Sequence, residues 1–159
     1  MRVSILTISD SVSAGRAEDR SGPSVSSRCK ELGWEVVSSA VRADDHAAIE
    51  GFLKQTADSN AVDLILTTGG TGLGPRDVTP EATTAVVERL IPGFPERMRA
   101  AGAAKTPRAI LSRGAAGIRG TTIIINLPGS PAGAVQSLDV IADLLPHSVA
   151  VLHGFHHGS

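Results

Sequence analysis

Residues 62–86 read VDLILTTGGTGLGPRDVTPEATTAV, and the order of residue types in this stretch decides the fold. Val62 to Thr68 is a short run of aliphatic and β-branched side chains, the composition of a strand buried on both faces of a parallel sheet. A glycine-rich loop follows, from Gly69 to Asp77. Thr79 and Pro80 then suit the N-cap and N1 positions of a helix running through Ala85 and Val86 to about Leu90. A strand that empties into glycines and feeds a helix is the first half of a βαβ unit.

The same alternation recurs on either side. Val3 to Ser9 (VSILTIS) predicts a buried strand. Ser21, Gly22 and Pro23 predict a helix start, with Val25, Cys29 and Leu32 on one face and Gly33 as the stop. Trp34 to Val41 predicts the next strand, and Asp44 is placed to cap a helix whose Ile49, Phe52, Leu53 and Thr56 share a side. Gly93 and Pro95 predict a further helix, Ala109 to Arg113 a short strand, and Thr121 to Leu127 (TTIIINL) another strand rich in β-branched residues. From Pro131 onward, Val135, Leu138, Ala142 and Leu145 recur at three- and four-residue spacing, which predicts one last helix that Pro146 ends or kinks. Strands alternating with helices connect right-handedly, so the fold class is α/β: a three-layer sandwich with a mostly parallel sheet covered by helices on both faces. A length of 159 residues suits a single domain over 1–159, with a frayed, solvated tail from about residue 153.

Composition narrows the function classes. Fifteen basic residues against 16 acidic leave a net charge of -1, so no electrostatic footprint for nucleic acid or an anionic membrane is present and any anionic ligand must be held locally. No apolar run approaches the roughly 20 residues of a membrane span, and no leader pattern opens the chain, which together favour the cytoplasm. Cys29 is the one cysteine; its spacing from Val25 and Leu32 marks it as core packing. Trp34, Phe52, Phe94 and Phe155 are the whole aromatic set, too sparse for base stacking. No CxxC pair, HExxH or Ser-His-Asp arrangement is evident, which disfavours hydrolysis through a protein nucleophile.

In an open parallel sheet the ligand crevice lies outside the carboxyl ends of the strands. The loops leaving strands here carry Ser9 and Asp10, Asp44 and Asp45, Gly69 to Asp77, and Asn126 to Pro131. The loops entering strands hold nothing comparable. Gly69, Gly70, Thr71, Gly72 and Gly74 can turn successive N–H groups inward as an anion nest, with hydroxyls of Thr68 and Thr71 as added donors and a helix N-terminus behind them. The pattern is neither a P-loop nor a Rossmann fingerprint, because Pro75 and Arg76 occupy the decisive places. A lone glycine cluster is as often a tight turn; the strand before it and the helix after it favour a ligand. Pro128, Gly129 and Ser130 are good turn and cap chemistry in any protein, and paired with the glycine loop they close a second wall.

Phosphate chemistry calls for a divalent ion, and Mg²⁺ is held by one or two carboxylates with waters and substrate phosphates. Asp10, Asp44 and Asp77 all lie on the expected edge, where each also reads as a cap or turn residue; Asp77, beside the glycine loop, is the leading candidate. Arg76 either clamps a phosphate or pairs with Asp77 on the surface. His153, His156 and His157 form a His-rich tail better read as solvated than as a metal site.

Thr68-Gly69-Gly70-Thr71-Gly72 and Arg76-Asp77-Val78-Thr79-Pro80-Glu81-Ala82 resemble the signature of the MogA/MoaB molybdenum cofactor biosynthesis family. The resemblance extends through Ser9-Asp10, Asp19-Arg20-Ser21-Gly22, Pro92-Gly93-Phe94, Leu111-Ser112-Arg113 and Asn126-Leu127-Pro128-Gly129, and so spans nearly the whole chain. It implies a molybdopterin-binding α/β domain assembled as a homotrimer. The implied reaction transfers AMP from ATP to the terminal phosphate of molybdopterin and releases pyrophosphate, with hand-over to a molybdenum insertion protein. By resemblance Asp77 and Asp44 are the catalytic aspartates and hold Mg²⁺, and the form Arg76-Asp77-Val78 leans toward the adenylyltransferase branch. The alternative is a non-catalytic molybdopterin-binding or scaffold module of the same pathway. Metal insertion by a related fold belongs to longer, multidomain chains.

Overall fold

The computed structural model describes residues 1–155. In chain order it runs β1 (Arg2–Ile8), α1 (Asp10–Ser13), α2 (Ser21–Glu31), β2 (Glu35–Arg42), α3 (His46–Asp58), β3 (Leu64–Thr68) and α4 (Thr79–Val86). It continues with β4 (Arg89–Leu90), α5 (Gly93–Ala103), a 3-10 turn (Pro107–Leu111), β5 (Ala116–Arg119), β6 (Thr122–Leu127), α6 (Pro131–Asp139), a second 3-10 turn (Ala142–Leu144) and α7 (Leu145–Leu152).

The six strands form one sheet in the order β2-β1-β3-β6-β5-β4. β2, β1, β3 and β6 are parallel, whereas β5 pairs antiparallel with both β6 and the edge strand β4 and so runs against the other five. β3 and β6 are buried at every position, as expected of central strands with helices on both faces. Two apolar cores flank the sheet. One gathers Val25 and Cys29 of α2, Phe94 and Met98 of α5, Leu138 of α6, and Leu145 and Val149 of α7; the other gathers Ile49, Leu53 and Ala57 of α3 with Ala82 and Val86 of α4. That is the three-layer sandwich the alternation predicts. Cys29 is fully buried, and burial pushes its thiol up to about 12, which suits packing and not reactivity.

Several expectations are overturned. Asp45, not Asp44, caps α3: its carboxylate accepts the Ala48 N–H at 2.8 Å. Thr79 is the first residue of α4, not its cap; its hydroxyl donates to the Gly69 carbonyl at 2.9 Å. α4 ends at Val86 instead of Leu90, because Arg89 and Leu90 leave the helix to pair with β5 as the edge strand. Ala109 to Arg113 is no strand: residues 107–111 coil as a 3-10 turn, and the strand lies further on at Ala116–Arg119, where pairing with β6 overrides local composition. The last helix is two helices, broken after Asp139, and Pro146 sits in the first turn of α7 where its missing N–H costs nothing. His153 is not frayed. Its Nε2 lies 3.0 Å from the Thr121 carbonyl oxygen, and the Phe155 N–H donates to Ala150 O at 2.9 Å. His156 and His157 lie outside the described residues.

Two buried polar clusters lock the sheet. Asn126 of β6 donates to the hydroxyls of Thr67 (3.0 Å) and Thr83 (2.9 Å) and accepts the Ala115 N–H at 3.0 Å, so one amide joins β3, α4 and the approach to β5. Asn126→Ala strands those partners without solvent and is expected to cost about 2–4 kcal/mol by urea unfolding at unchanged m-value. A loss below about 0.5 kcal/mol would mean that the network is not stabilising. At the opposite edge, buried Asp63 accepts the Arg2 N–H at 2.8 Å and the Arg2 guanidinium at 3.0 Å. Burial alone would raise the Asp63 pKa, but the Arg2 hydrogen bonds and charge outweigh it and hold the carboxyl below its ordinary range. A depressed folded-state pKa stabilises above the unfolded value and is lost as pH falls through the folded one. The stability gap between the wild type and Asp63→Asn should therefore be full at neutral pH and shrink below about pH 4 in pH-dependent melts.

Candidate functional site

The strand order reverses direction at β1 and β3: the chain leaves β1 toward β2 on one side and later builds β3, then β6, on the other. The loops after β1 and β3 therefore splay apart and leave a crevice of about 400 Å³ at their carboxyl ends. Ser9, Asp44, Thr68, Gly69, Gly70, Asp77 and Gly129 line it, so most of the sequence-predicted residues meet there.

The glycines sit where only glycine fits. Gly69 and Gly70 have φ of +106° and +70°. A Cβ on Gly69 would run into the Ile8 carbonyl oxygen of β1, and one on Gly70 would strike the Thr79 hydroxyl and stand 3.0 Å from Asp44 Oδ1. The loop is thus drawn against β1 and against the carboxylate of Asp44. The Gly69 N–H is committed to the Leu127 carbonyl and is not available to an anion. The Thr68 hydroxyl donates to the Pro128 carbonyl at 2.6 Å and ties the two walls together; Thr71 of the loop is buried.

Asp10 and Asp44 grip each other through the backbone: Asp44 Oδ2 accepts the Asp10 N–H, and Asp10 Oδ1 accepts the Asp44 N–H, both at 3.0 Å. Arg76 pairs with Asp10, not with Asp77, through Nε and Nη2 at 3.0 Å each. That pair, with the Asp44 N–H, holds the Asp10 carboxyl below its ordinary range. Asp44 moves the other way. Burial pushes its pKa up, the charges of Asp10 and Asp77 add to the rise, and the Asp10 N–H only partly opposes it. A half-buried carboxylate crowded by like charge is a common signature of a site that takes a cation. Asp77 Oδ2 accepts the Gly74 N–H at 2.9 Å, which turns the carboxylate back onto its own loop.

Sequence reasoning gave no role to three contributors. Asp19 faces the crevice, accepting the Thr7 hydroxyl at 2.9 Å and the Gly22 N–H at 3.0 Å. Arg113 binds the glycine loop from behind, donating from Nε to the Gly72 carbonyl and from Nη2 to the Asp77 carbonyl, each at 2.8 Å. A second cavity of about 290 Å³ opens between α5, the first 3-10 turn and α6. Pro128 and Ser130 face this cavity while Gly129 and Pro131 face the crevice, so the loop after β6 is a partition between two chambers. Ser130 also caps α6, its hydroxyl accepting the Gly133 N–H at 3.1 Å. Among the described residues no three His, Cys, Asp or Glu side chains converge as a metal cage.

Residues 4–147 match the family described as "Probable molybdopterin binding domain". The molybdopterin adenylyltransferase of Helicobacter pylori strain J99 is 38% identical over 161 residues, covering 97% of this chain and 89% of the relative. The molybdenum cofactor biosynthesis bifunctional protein of Synechococcus elongatus is 39% identical over 98% of this chain, which spans 48% of that longer protein. The crystal structure of the molybdopterin biosynthesis enzyme MoaB from Thermus thermophilus is 45% identical, with a TM-score of 0.91 over 97% of both chains. Since sequence and fold agree along almost the whole length, and the crevice falls where the matched loops converge, the chain belongs to the MogA/MoaB molybdopterin-binding domain family.

Proposed function

We propose that the protein is a molybdopterin adenylyltransferase that transfers AMP from ATP to the terminal phosphate of molybdopterin and releases pyrophosphate. The observation that carries this reading is the convergence of the left-handed Gly69-Gly70 turn with Asp44 and Asp77 at the switch point of the sheet. Similarity to adenylyltransferases over nearly the full chain supports it.

The chemistry asks little covalent help of the protein. The pterin phosphate is anionic at neutral pH, so no general base is needed. One of its oxygens attacks the α-phosphorus of ATP, the new phosphoanhydride bond forms, and the α–β bridging bond breaks with its electrons leaving on pyrophosphate. Positioning and charge neutralisation suffice, which accounts for a crevice with no histidine or lysine among the described residues that line it. Asp44 and Asp77 would hold Mg²⁺, which when bound offsets the charge of the nucleotide phosphates.

The two chambers suggest a division of labour. The crevice, with its glycine turn and carboxylates, takes the triphosphate. The cavity beside α5 and α6, where Met98, Ala109 and Val140 offer apolar surface and Arg99, Lys105 and Gln136 offer polar groups, takes the flat pterin ring. The pterin phosphate then crosses the Pro128 to Ser130 partition to reach the α-phosphorus. The enzyme would act in the cytoplasm as a homotrimer and pass its product to a molybdenum insertion protein. The exposed Leu73, Ile110 and Leu111 offer apolar surface for subunit contact, which sedimentation velocity tests.

The deciding experiment incubates the protein with molybdopterin, ATP and Mg²⁺ and follows pyrophosphate and adenylylated pterin. Tight pterin binding with no product would overturn adenylyl transfer in favour of a binding or scaffold module.

A further inference from the structure

We propose that Arg113, braced by Glu81, is a positioning residue that sets where the Asp77 carboxylate stands in the crevice. This rests on the adenylyl-transfer reading of the site.

Residues 71–77 carry Asp77 but have few ties to the rest of the fold. Gly74 and Asp77 bond each other in both directions, and Arg76 reaches Asp10 across exposed surface. The loop's other hydrogen bonds converge on Arg113. Its backbone N–H donates to the Thr71 carbonyl, and its guanidinium donates to the Gly72 and Asp77 carbonyls, all at 2.8 Å. One side chain therefore spans the loop from the peptide of Gly72 to that of Asp77, while the backbone of the same residue holds Thr71. The rest of the guanidinium is committed to Glu81 of α4, at 2.8 and 3.1 Å, which fixes the plane of the fork.

The mount is itself held. Arg99 of α5 donates to the carbonyls of Ser112 (3.3 Å) and Gly114 (3.2 Å) on either side of Arg113, and Ala115 is tied to Asn126 of β6. A chain of contacts thus runs from the central sheet through Arg113 to the loop. Bridging two carbonyls and a carboxylate at once needs a planar fork with five donors; a lysine supplies a point charge and cannot reproduce it. With Asp77 hooked to Gly74 inside the loop, a loop released from Arg113 carries the carboxylate away with it.

The test compares the wild type, Arg113→Lys and Glu81→Gln, first without substrate. Amide hydrogen exchange of peptides covering residues 71–78 should accelerate in Arg113→Lys by on the order of 10-fold or more relative to the sheet strands, and less in Glu81→Gln, which keeps the carbonyl bonds. In turnover, Arg113→Lys should lower kcat on the order of 10- to 100-fold, change the KM for molybdopterin less than about 3-fold, and raise the Mg²⁺ concentration for half-maximal rate about 10-fold. Unchanged loop exchange would overturn the proposal. So would faster exchange with kcat and Mg²⁺ dependence at wild-type values, since the contact would then be structural only. If Arg113→Lys is insoluble, Glu81→Gln decides by the same two readouts. A wild-type protein silent in turnover would sink the function instead, while the substrate-free exchange still reports whether Arg113 holds the loop.

Discussion

Asp77→Asn is expected to lower kcat on the order of 10²- to 10³-fold while leaving the melting temperature and pterin affinity close to those of the wild type. Asparagine has the same shape and keeps an oxygen to accept the Gly74 N–H, so the loop closure survives. Asp77 is only half-buried, and removing its charge relieves the crowding felt by Asp44; the fold therefore loses little. What disappears is a negative charge facing the crevice beside the glycine turn. That carboxylate would help hold the Mg²⁺ that offsets phosphate charge, the main help this site gives to the reaction, so the loss should fall on the chemical step and not on ground-state binding. Pyrophosphate release and pterin fluorescence titration separate the two. Turnover within about threefold of wild type would remove Asp77 from the mechanism.

Gly69→Ala should be the most damaging single substitution for both stability and activity. Two costs combine. The φ of +106° lies outside the range L-residues adopt readily, and the added methyl meets the backbone oxygen of Ile8, which is held in place at the end of β1 by its pairing with Arg42 of β2. Strain of about 1–3 kcal/mol and a clash of similar size give a loss of about 2–6 kcal/mol, or roughly 4–24 °C in Tm for a domain of this size. Gly33→Ala is the matched control. It also has positive φ, +83°, but a Cβ there meets nothing within 4 Å, so only strain of about 1–2 kcal/mol remains. Equal melting temperatures for the two variants would mean that contact with Ile8 does not hold the loop.

The strands most readable in the sequence were those buried on both faces, because an unbroken aliphatic run leaves little alternative. Those at Val3, Val62 and Thr121 appear within two residues of their expected ends. The edge strand Arg89–Leu90 has two exposed residues and no pattern to read; it is a strand only because β5 lies beside it. Capping shows a similar limit. Asp44 and Asp45 are adjacent and both chemically able to cap α3, and backbone direction assigns Asp45 to the helix and Asp44 to the crevice.

For the site, local sequence was enough to identify the glycine turn and the aspartates on strand-leaving loops, since topology sends the loops leaving β1, β2, β3 and β6 to one edge. It could not show that Arg76 reaches Asp10 or that Arg113 binds the glycine loop, because these partners are 66 and 41 residues apart in the chain. The layered α/β architecture and the edge where chemistry gathers follow from short-range residue patterning that each segment carries alone. Long-range packing sets which carboxylate faces the crevice, which arginine anchors the loop, and that one turn divides two chambers. Those outcomes depend on distances between segments that meet only after the sheet has formed.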